Sequence, residues 1–338
     1  QYTAINPNIK VEVVDSTQRP DLLQKYDISD SESAIVVQSP ERSKTISAYD
    51  LSSYNYTTGE TTDLTEEKVT NAIIETTSAD KPKAYFLTGH GEMVDNMSLA
   101  KQYLQNDVID VADLDLLTTE FPEDCDVLVI ATPTEDFTEL ETDKIINYIN
   151  NGGNIMLLQD ANILKANTPN FQSILDMYGF SVSEGVVMEQ DENKMVYNMP
   201  GFVITDVGTY TSLTKKLNMN LTMCLMDPGK IEFKDSETLG NLGVSYEILA
   251  QASEKAFLRN DLNISDYKKT ESDQDASNAI LGALVTKKIN DEKSSKLIVY
   301  SNAIFSTNMS ISMSNSSMSA ISFYNNEDMV VNSINYLA

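Results

Sequence analysis

The residues best placed to do chemistry are Gly89-His90-Gly91-Glu92, which follow the apolar run Ala84-Tyr85-Phe86-Leu87-Thr88. His90 is the only histidine in the chain, so any reaction that needs an imidazole happens here or nowhere. A buried strand entering a glycine turn ahead of a helix is where open α/β sheets place their ligands. Reading off the ends of the other apolar runs adds Thr132 and Thr134 around Pro133, then Gln159 and Asp160, then Asn302. Together with His90 and Glu92 these form a polar rim on an apolar sheet, suited to holding a small polar ligand by hydrogen bonds. A plainer account stands beside this one. Strand-to-helix turns are polar in every α/β protein, because helix N-termini need caps.

Several chemistries fail on spacing. The turn lacks the third glycine of a dinucleotide fingerprint and the lysine of a phosphate-binding loop. One imidazole with Glu92 and Asp160 could hold a divalent ion weakly, but no spacing makes the three converge. Acidic pairs such as Glu135-Asp136 and Asp291-Glu292 do not follow a calcium-loop pattern and read as solvated faces. A nucleophile elbow puts Ser or Cys between glycines after a buried strand. The corresponding position here reads Gln159-Asp160-Ala161-Asn162. Cys125 precedes its strand, at the wrong end of a sheet, and Cys224 has no second histidine to activate it. The residues therefore nominate no catalytic group, no cofactor site and no metal site.

The elements that would position the rim follow from composition and periodicity. A chain of 338 residues supports one large or two modest domains. The formal net charge of −27 repels nucleic acid and anionic lipid, which makes both poor partners. No apolar run approaches the roughly 18 residues that cross a bilayer. The start at Gln1 and the end at Tyr336-Leu337-Ala338 suggest a soluble part excised from a longer protein. Cys125 and Cys224 lie in or beside apolar runs and read as small buried hydrophobes, with a disulfide possible but unsupported.

Residues 1–80 suggest a small α/β lobe. Ile9 to Val14 alternates like a strand, and Pro20 to Tyr26 is a proline-started helix. Ala34 to Gln38 and Ser43 to Ser47 make a hairpin, and Leu51 to Thr62 is a loop. Asp63 with Glu66 is a capping box opening a helix that Ser78-Ala79-Asp80-Lys81-Pro82 ends. Residues 81–338 then alternate strand and helix: 84–88, a helix from about Ser98, a strand near Val108 to Val111, and Val127 to Ala131. A helix capped by Thr138 and Glu141 stops at Gly152-Gly153, before Asn154 to Leu158 and a helix ending at Gly179. This alternation implies parallel strands joined by right-handed crossovers, a flavodoxin-like layout. Residues 181–290 read as a β-rich insertion or continuation with exposed charged stretches at Gln190–Lys194 and Asp261–Ser277. Lys296 to Tyr300 is a final buried strand, Ser306 to Ser319 a low-complexity loop, and Glu327 to Leu337 a closing helix.

Tyr85-Phe86-Leu87-Thr88-Gly89-His90-Gly91-Glu92 resembles the signature of the GldG-like auxiliary components of ABC transporters, a gliding-motility-associated family. Val11 to Tyr26, the helix at 66–76, Gly152 to Leu158, Tyr178-Gly179-Phe180, Lys296 to Phe305 and Asn332 to Ala338 fit the same family in order. The resemblance implies a thioredoxin-like lobe followed by a domain of class I glutamine amidotransferase-like fold without its catalytic residues. It also implies an extracytoplasmic domain, anchored by membrane helices outside this chain, that works beside an ABC permease and ATPase. Ser301-Asn302 stands where family members often carry Gly-Asp. The lobe has no Cys-x-x-Cys, so it does no thiol redox chemistry. The expected function is a non-enzymatic binding or assembly module, taking a saccharide or peptide at His90, Glu92, Thr132, Thr134 and Asp160. The alternatives are a hydrolase or amidotransferase-like enzyme using His90 with Glu92 or Asp160, and a purely structural scaffold.

Overall fold

A computed structural model describes residues 2–338 apart from 27, 30–32, 41, 55–60, 78–80, 162–166, 208–210, 215–221, 262–267 and 314–315. The chain divides into two compact units, Gln1–Lys81 and Pro82–Ala338.

In the first unit, the helix Pro20–Tyr26 begins at its proline, and Ala34–Gln38 pairs antiparallel with Ser43–Ser47. Ile9 to Val14 is not a strand. Its alternation marks a face that could be buried, but no described strand lies beside it to pair its backbone, and Val11 and Val13 are 75% and 95% exposed. The expected loop from Leu51 to Thr62 closes on itself instead, with Ser52–Tyr54 antiparallel to Thr61–Asp63. Its interior lies outside the described residues, as does the linker at 78–80. Asp63 caps the helix Thr65–Thr77 through the amide of Thr65 at 2.9 Å, one residue short of the expected box with Glu66.

The second unit is built on one central sheet. Its elements are β1 (Lys83–Thr88), α1 (Ser98–Asn106), β2 (Asp110–Asp115), β3 (Val127–Ala131), α2 (Glu139–Asn150), β4 (Asn154–Leu158), α3 (Pro169–Met177), β5 (Phe180–Val182) and β6 (Val186–Met188). There follow β7 (Met199–Asp206), β8 (Thr222–Met226), β9 (Ile231–Phe233), α4 (Ser236–Leu242), β10 (Val244–Gln251), β11 (Phe257–Arg259), β12 (Ile280–Lys288), β13 (Ser294–Tyr300) and α5 (Asn326–Leu337). The order across the sheet is β2-β1-β3-β4-β13-β12-β9-β5, with β10 also paired to β12. The first five strands are parallel, the arrangement that alternating strands and crossover helices produce. The rest is antiparallel, so the parallel pattern read from the sequence stops at β13. The fold is thus mixed α/β with a mostly parallel central sheet.

Successive residues of the parallel strands feed two cores. Ala84, Phe86, Val129, Met156 and Ile298 pack with α1 and α5, while Leu87, Leu128, Ile130, Leu157 and Val299 pack with α2, α3 and α4. Burial on both faces is why these strands read as continuous apolar runs. β2 begins at Asp110 and not near Val108, because Val108 takes a left-handed φ of 65° where the chain leaves α1. Within 181–290, β12, β10 and β9 extend the sheet, and β7 pairs with β8 in a separate three-stranded sheet. The Asp261–Ser277 stretch is not simply an exposed charged face. The Asp273 carboxylate is buried in a two-pronged ion pair with Arg259, at 3.0 Å to Nε and 2.7 Å to a terminal nitrogen. The Ser306–Ser319 segment is not an unstructured loop, since Ser310–Met313 pairs antiparallel with Ser316–Ser319. Among the described residues, no helix is long and apolar enough to cross a membrane.

Candidate functional site

The chain leaves β1 to one side for β2 and β3 flanks β1 on the other, so the topological switch point lies between β1 and β3. Ligands of doubly wound sheets bind beyond the carboxyl ends of the strands at such a point. Here those ends are Gly89-His90-Gly91 and Thr132-Pro133-Thr134. The two turns are stapled together. The His90 carbonyl accepts the amides of Thr134 at 2.8 Å and Glu135 at 3.1 Å, and the Thr134 hydroxyl at 3.2 Å. Gly91 holds φ at +73°, and a Cβ there would fall 2.0 Å from the Thr134 hydroxyl, so both backbone sign and space demand glycine.

His90 does not face solvent, being only 4% exposed. Its Nε2 lies 3.2 Å from Glu141 Oε2 and its Nδ1 lies 3.6 Å from Glu92 Oε1, with all three side chains buried. The ring meets Phe137 edge-on at 4.8 Å between centroids. Glu92 turns back on the loop, its Oε2 accepting the His90 amide at 2.7 Å. Glu141 is the third residue of α2 and completes the capping box there, its Oε2 accepting the amide and hydroxyl of Thr138 at 2.9 and 2.7 Å. His90 Nδ1, Glu92 Oε1 and Glu141 Oε1 are buried without a hydrogen-bond partner. Burial pushes the Glu92 carboxyl above the usual carboxylate range.

The two carboxylates bracket opposite edges of the imidazole, so they cannot converge on one ion with a single ring nitrogen. Among the described residues no group of His, Cys, Asp and Glu is arranged to hold a metal. A general base needs a substrate proton within hydrogen-bond reach. Here the reach of Nε2 is taken by Glu141. What the cluster does is lock the β1 turn to the start of α2.

Asp160 is not part of this cluster. Its amide donates to the Thr132 hydroxyl at 2.8 Å, and its Oδ1 accepts Asn302 Nδ2 at 3.0 Å and the Ala303 amide at 2.6 Å. Thr132 sits at φ 52°, an outlier for a β-branched residue and a form of strain that collects at functional turns. Asn302 also accepts the amides of Met226 and Phe305 and donates to the Met226 carbonyl, tying β8 to β13 and β4. Burial raises the Asp160 carboxyl, and Asp227 nearby adds to the effect. Of the rim residues, His90, Thr132, Asp160 and Asn302 are buried and Thr134 is exposed. The groups that sequence reasoning missed are Glu141 and Phe137. Glu141 carried a signal, the capping box, that registers only as a helix start.

A cavity of about 580 Å³ opens at the other end of the sheet, lined by Phe121, Cys125, Lys144, Tyr148, Gly152 and Asn154 among others. It lies away from the histidine turn, at the amino ends of β3 and β4. Burial pushes the Cys125 thiol up to about 12, so it is no nucleophile there.

Among solved structures, the chain is similar to the mmIFT52 N-terminal domain at 14% identity and a TM-score of 0.49, covering 75% of this chain and 93% of that one. It is also similar to a ThuA-like protein from Parabacteroides merdae at 11% identity and a TM-score of 0.47, covering 76% and 90%. No curated protein matches it. The family described as an ABC-type uncharacterized transport system, of auxiliary components, matches residues 81–333, three quarters of the chain and nearly all of the second unit. By that match the chain belongs to the ABC transport auxiliary family.

Proposed function

We propose that this chain is a non-enzymatic, extracytoplasmic module of an ABC transport system, of the GldG-like kind, held at the membrane by segments outside this chain. It works beside the permease and ATPase, and its second unit offers a polar ligand, a saccharide or peptide, the turn edges around Gly89, Gly91 and Thr134. The observation that carries the reading is the state of His90. The single imidazole of an auxiliary transport chain is buried between Glu92 and Glu141 and spent on bracing two turns.

The test is direct. The protein is incubated with chromogenic glycosides, amides and esters beside His90→Ala, and with reconstituted permease and ATPase. Binding to the transporter without turnover is the expected result. Turnover that vanishes in His90→Ala would overturn the reading in favour of a hydrolase or amidotransferase-like enzyme. A chain that binds the permease but no saccharide or peptide would reduce it to a scaffold.

A further inference from the structure

The cavity of about 580 Å³ at the amino ends of β3 and β4 takes no part in the histidine turn. Its volume falls within the range of about 300–1,000 Å³ that small-molecule sites occupy. Three parts build it.

The first is an aromatic wall. Tyr148, on α2, and Phe121, in the segment leading to β3, stack at 4.5 Å between centroids. The Tyr148 hydroxyl donates to the Asn154 carbonyl at 2.9 Å and accepts the Asn154 amide at 3.1 Å, which pins the wall to the start of β4. A Cβ on Gly153 would fall 2.4 Å from the Tyr148 ring, so only glycine leaves the ring room to lie there. The second part is the end of α2. No basic residue stands in its last turn to answer the partial negative charge of its carbonyl end, and Asn147 and Asn151 line the cavity one helical turn apart. The third is charge. Glu120, Glu123 and Asp126 face a single ammonium among the lining side chains, that of Lys144. Lys144 is already committed, its Nζ donating to the carbonyls of Leu116 at 3.0 Å and Thr119 at 2.8 Å and lying 3.8 Å from Glu120.

These parts select an occupant. Anions are repelled by the carboxylates and by the helix end alike. A bare metal ion is not served, because among the described residues no group of His, Cys, Asp and Glu is arranged to hold one. A neutral polyol would use the two side-chain amides and leave the charge at the mouth unanswered. A cation whose charge sits on a planar or alkyl body uses everything present. Aromatic faces attract it, the amide oxygens accept its N–H groups, and the carboxylates draw it in. We propose that this cavity binds an organic cation, a guanidinium or alkylammonium group, whether or not the histidine turn takes a ligand of its own.

The test is isothermal titration calorimetry of the whole chain, at low and high salt, with N-acetyl-arginine amide and its uncharged isostere N-acetyl-citrulline amide. The arginine compound should bind at least about tenfold more tightly than the citrulline one, and more weakly as salt rises. Phe121→Leu and Glu123→Gln should each weaken its binding about threefold or more. Glu237→Gln, which removes an exposed carboxylate on α4, should leave it unchanged, separating a site from general attraction to an acidic surface. Circular dichroism matching the wild type shows that each variant is folded. Agmatine and the capped peptide acetyl-Gly-Arg-Gly-amide distinguish a free small cation from a peptide side chain, and tight binding of either upholds the proposal. Equal affinity for the citrulline compound overturns it. So does the failure of every one of these cations to bind at low salt, or an affinity that neither cavity variant changes.

Discussion

Replacing Gly91 by alanine tests the stapled switch point more sharply than replacing the histidine. The new methyl would sit 2.0 Å from the Thr134 hydroxyl and 3.3 Å from its Cβ, on a backbone at φ +73°. Left-handed backbone costs an alanine about 1–2 kcal/mol. Rotating the Thr134 hydroxyl off the His90 carbonyl costs about a further 0.5–1.5 kcal/mol. Gly91→Ala should therefore destabilise the protein by about 2–3 kcal/mol. Thr134→Ala alone should cost only about 0.5 kcal/mol, because the His90 carbonyl keeps the amides of Thr134 and Glu135. In the double variant the clash is with a hydroxyl that is no longer there, leaving mainly the backbone cost of about 1.5 kcal/mol. Urea unfolding followed by circular dichroism reads all four corners of the cycle. Additive single and double variants would refute the reasoning, since the steric coupling would then be absent. So would a Gly91→Ala cost near zero.

Other outcomes follow from the same structure. His90→Ala should cost about 1–3 kcal/mol in urea unfolding, because it removes a buried ring packed edge-on against Phe137 and the polar partner of Glu141. Arg259 holds the buried Asp273 carboxyl down to about 2, so that pair's contribution of about 2 kcal/mol is complete above pH 4 and lost as pH falls toward 2, an effect absent from Asp273→Asn. Burial raises the Asp160 carboxyl in the folded state, so its contribution is present below its ordinary value of 3.8 and lost as pH rises through the raised one. Asp160→Asn should accordingly gain stability relative to the wild type between pH 4 and 7, measured by thermal unfolding. Cys125 and Cys224 are both free, with thiols pushed up to about 12 by burial; iodoacetamide at pH 8 should label them quickly only after denaturation, followed by intact mass.

Elements buried on both faces were the most legible in the sequence. Val127–Ala131 and Asn154–Leu158 are observed with the expected bounds, because nothing but a two-sided core tolerates runs of five and four consecutive apolar residues there. The turn at His90 was legible as a place and not as a geometry. Glu141 lies fifty-one positions along the chain, and nothing local says that a capping glutamate also meets an imidazole. The antiparallel half of the sheet was opaque for a different reason. β12 runs Ile-Leu-Gly-Ala-Leu-Val-Thr-Lys-Lys, plainly strand-like, but its neighbours β10 and β13 are set by pairing across the whole unit. Ile9 to Val14 shows the converse error, since period alone cannot supply a neighbouring strand.

The place of β13 in the sheet bears on how the chain comes off the ribosome. The strand is among the last to be synthesised, yet it lies between β4 and β12 in the middle of the sheet. Until residue 300 has emerged, both of those strands present bare apolar edges, and the doubly buried layer cannot close. Pairings as distant as Ile155 with Leu297 mean slow, non-local closure. Nascent chains stalled before β13 should thus be holdase clients, whereas those released after α5 should not. Synthesis of the last forty residues becomes the step that turns an aggregation-prone intermediate into a finished domain.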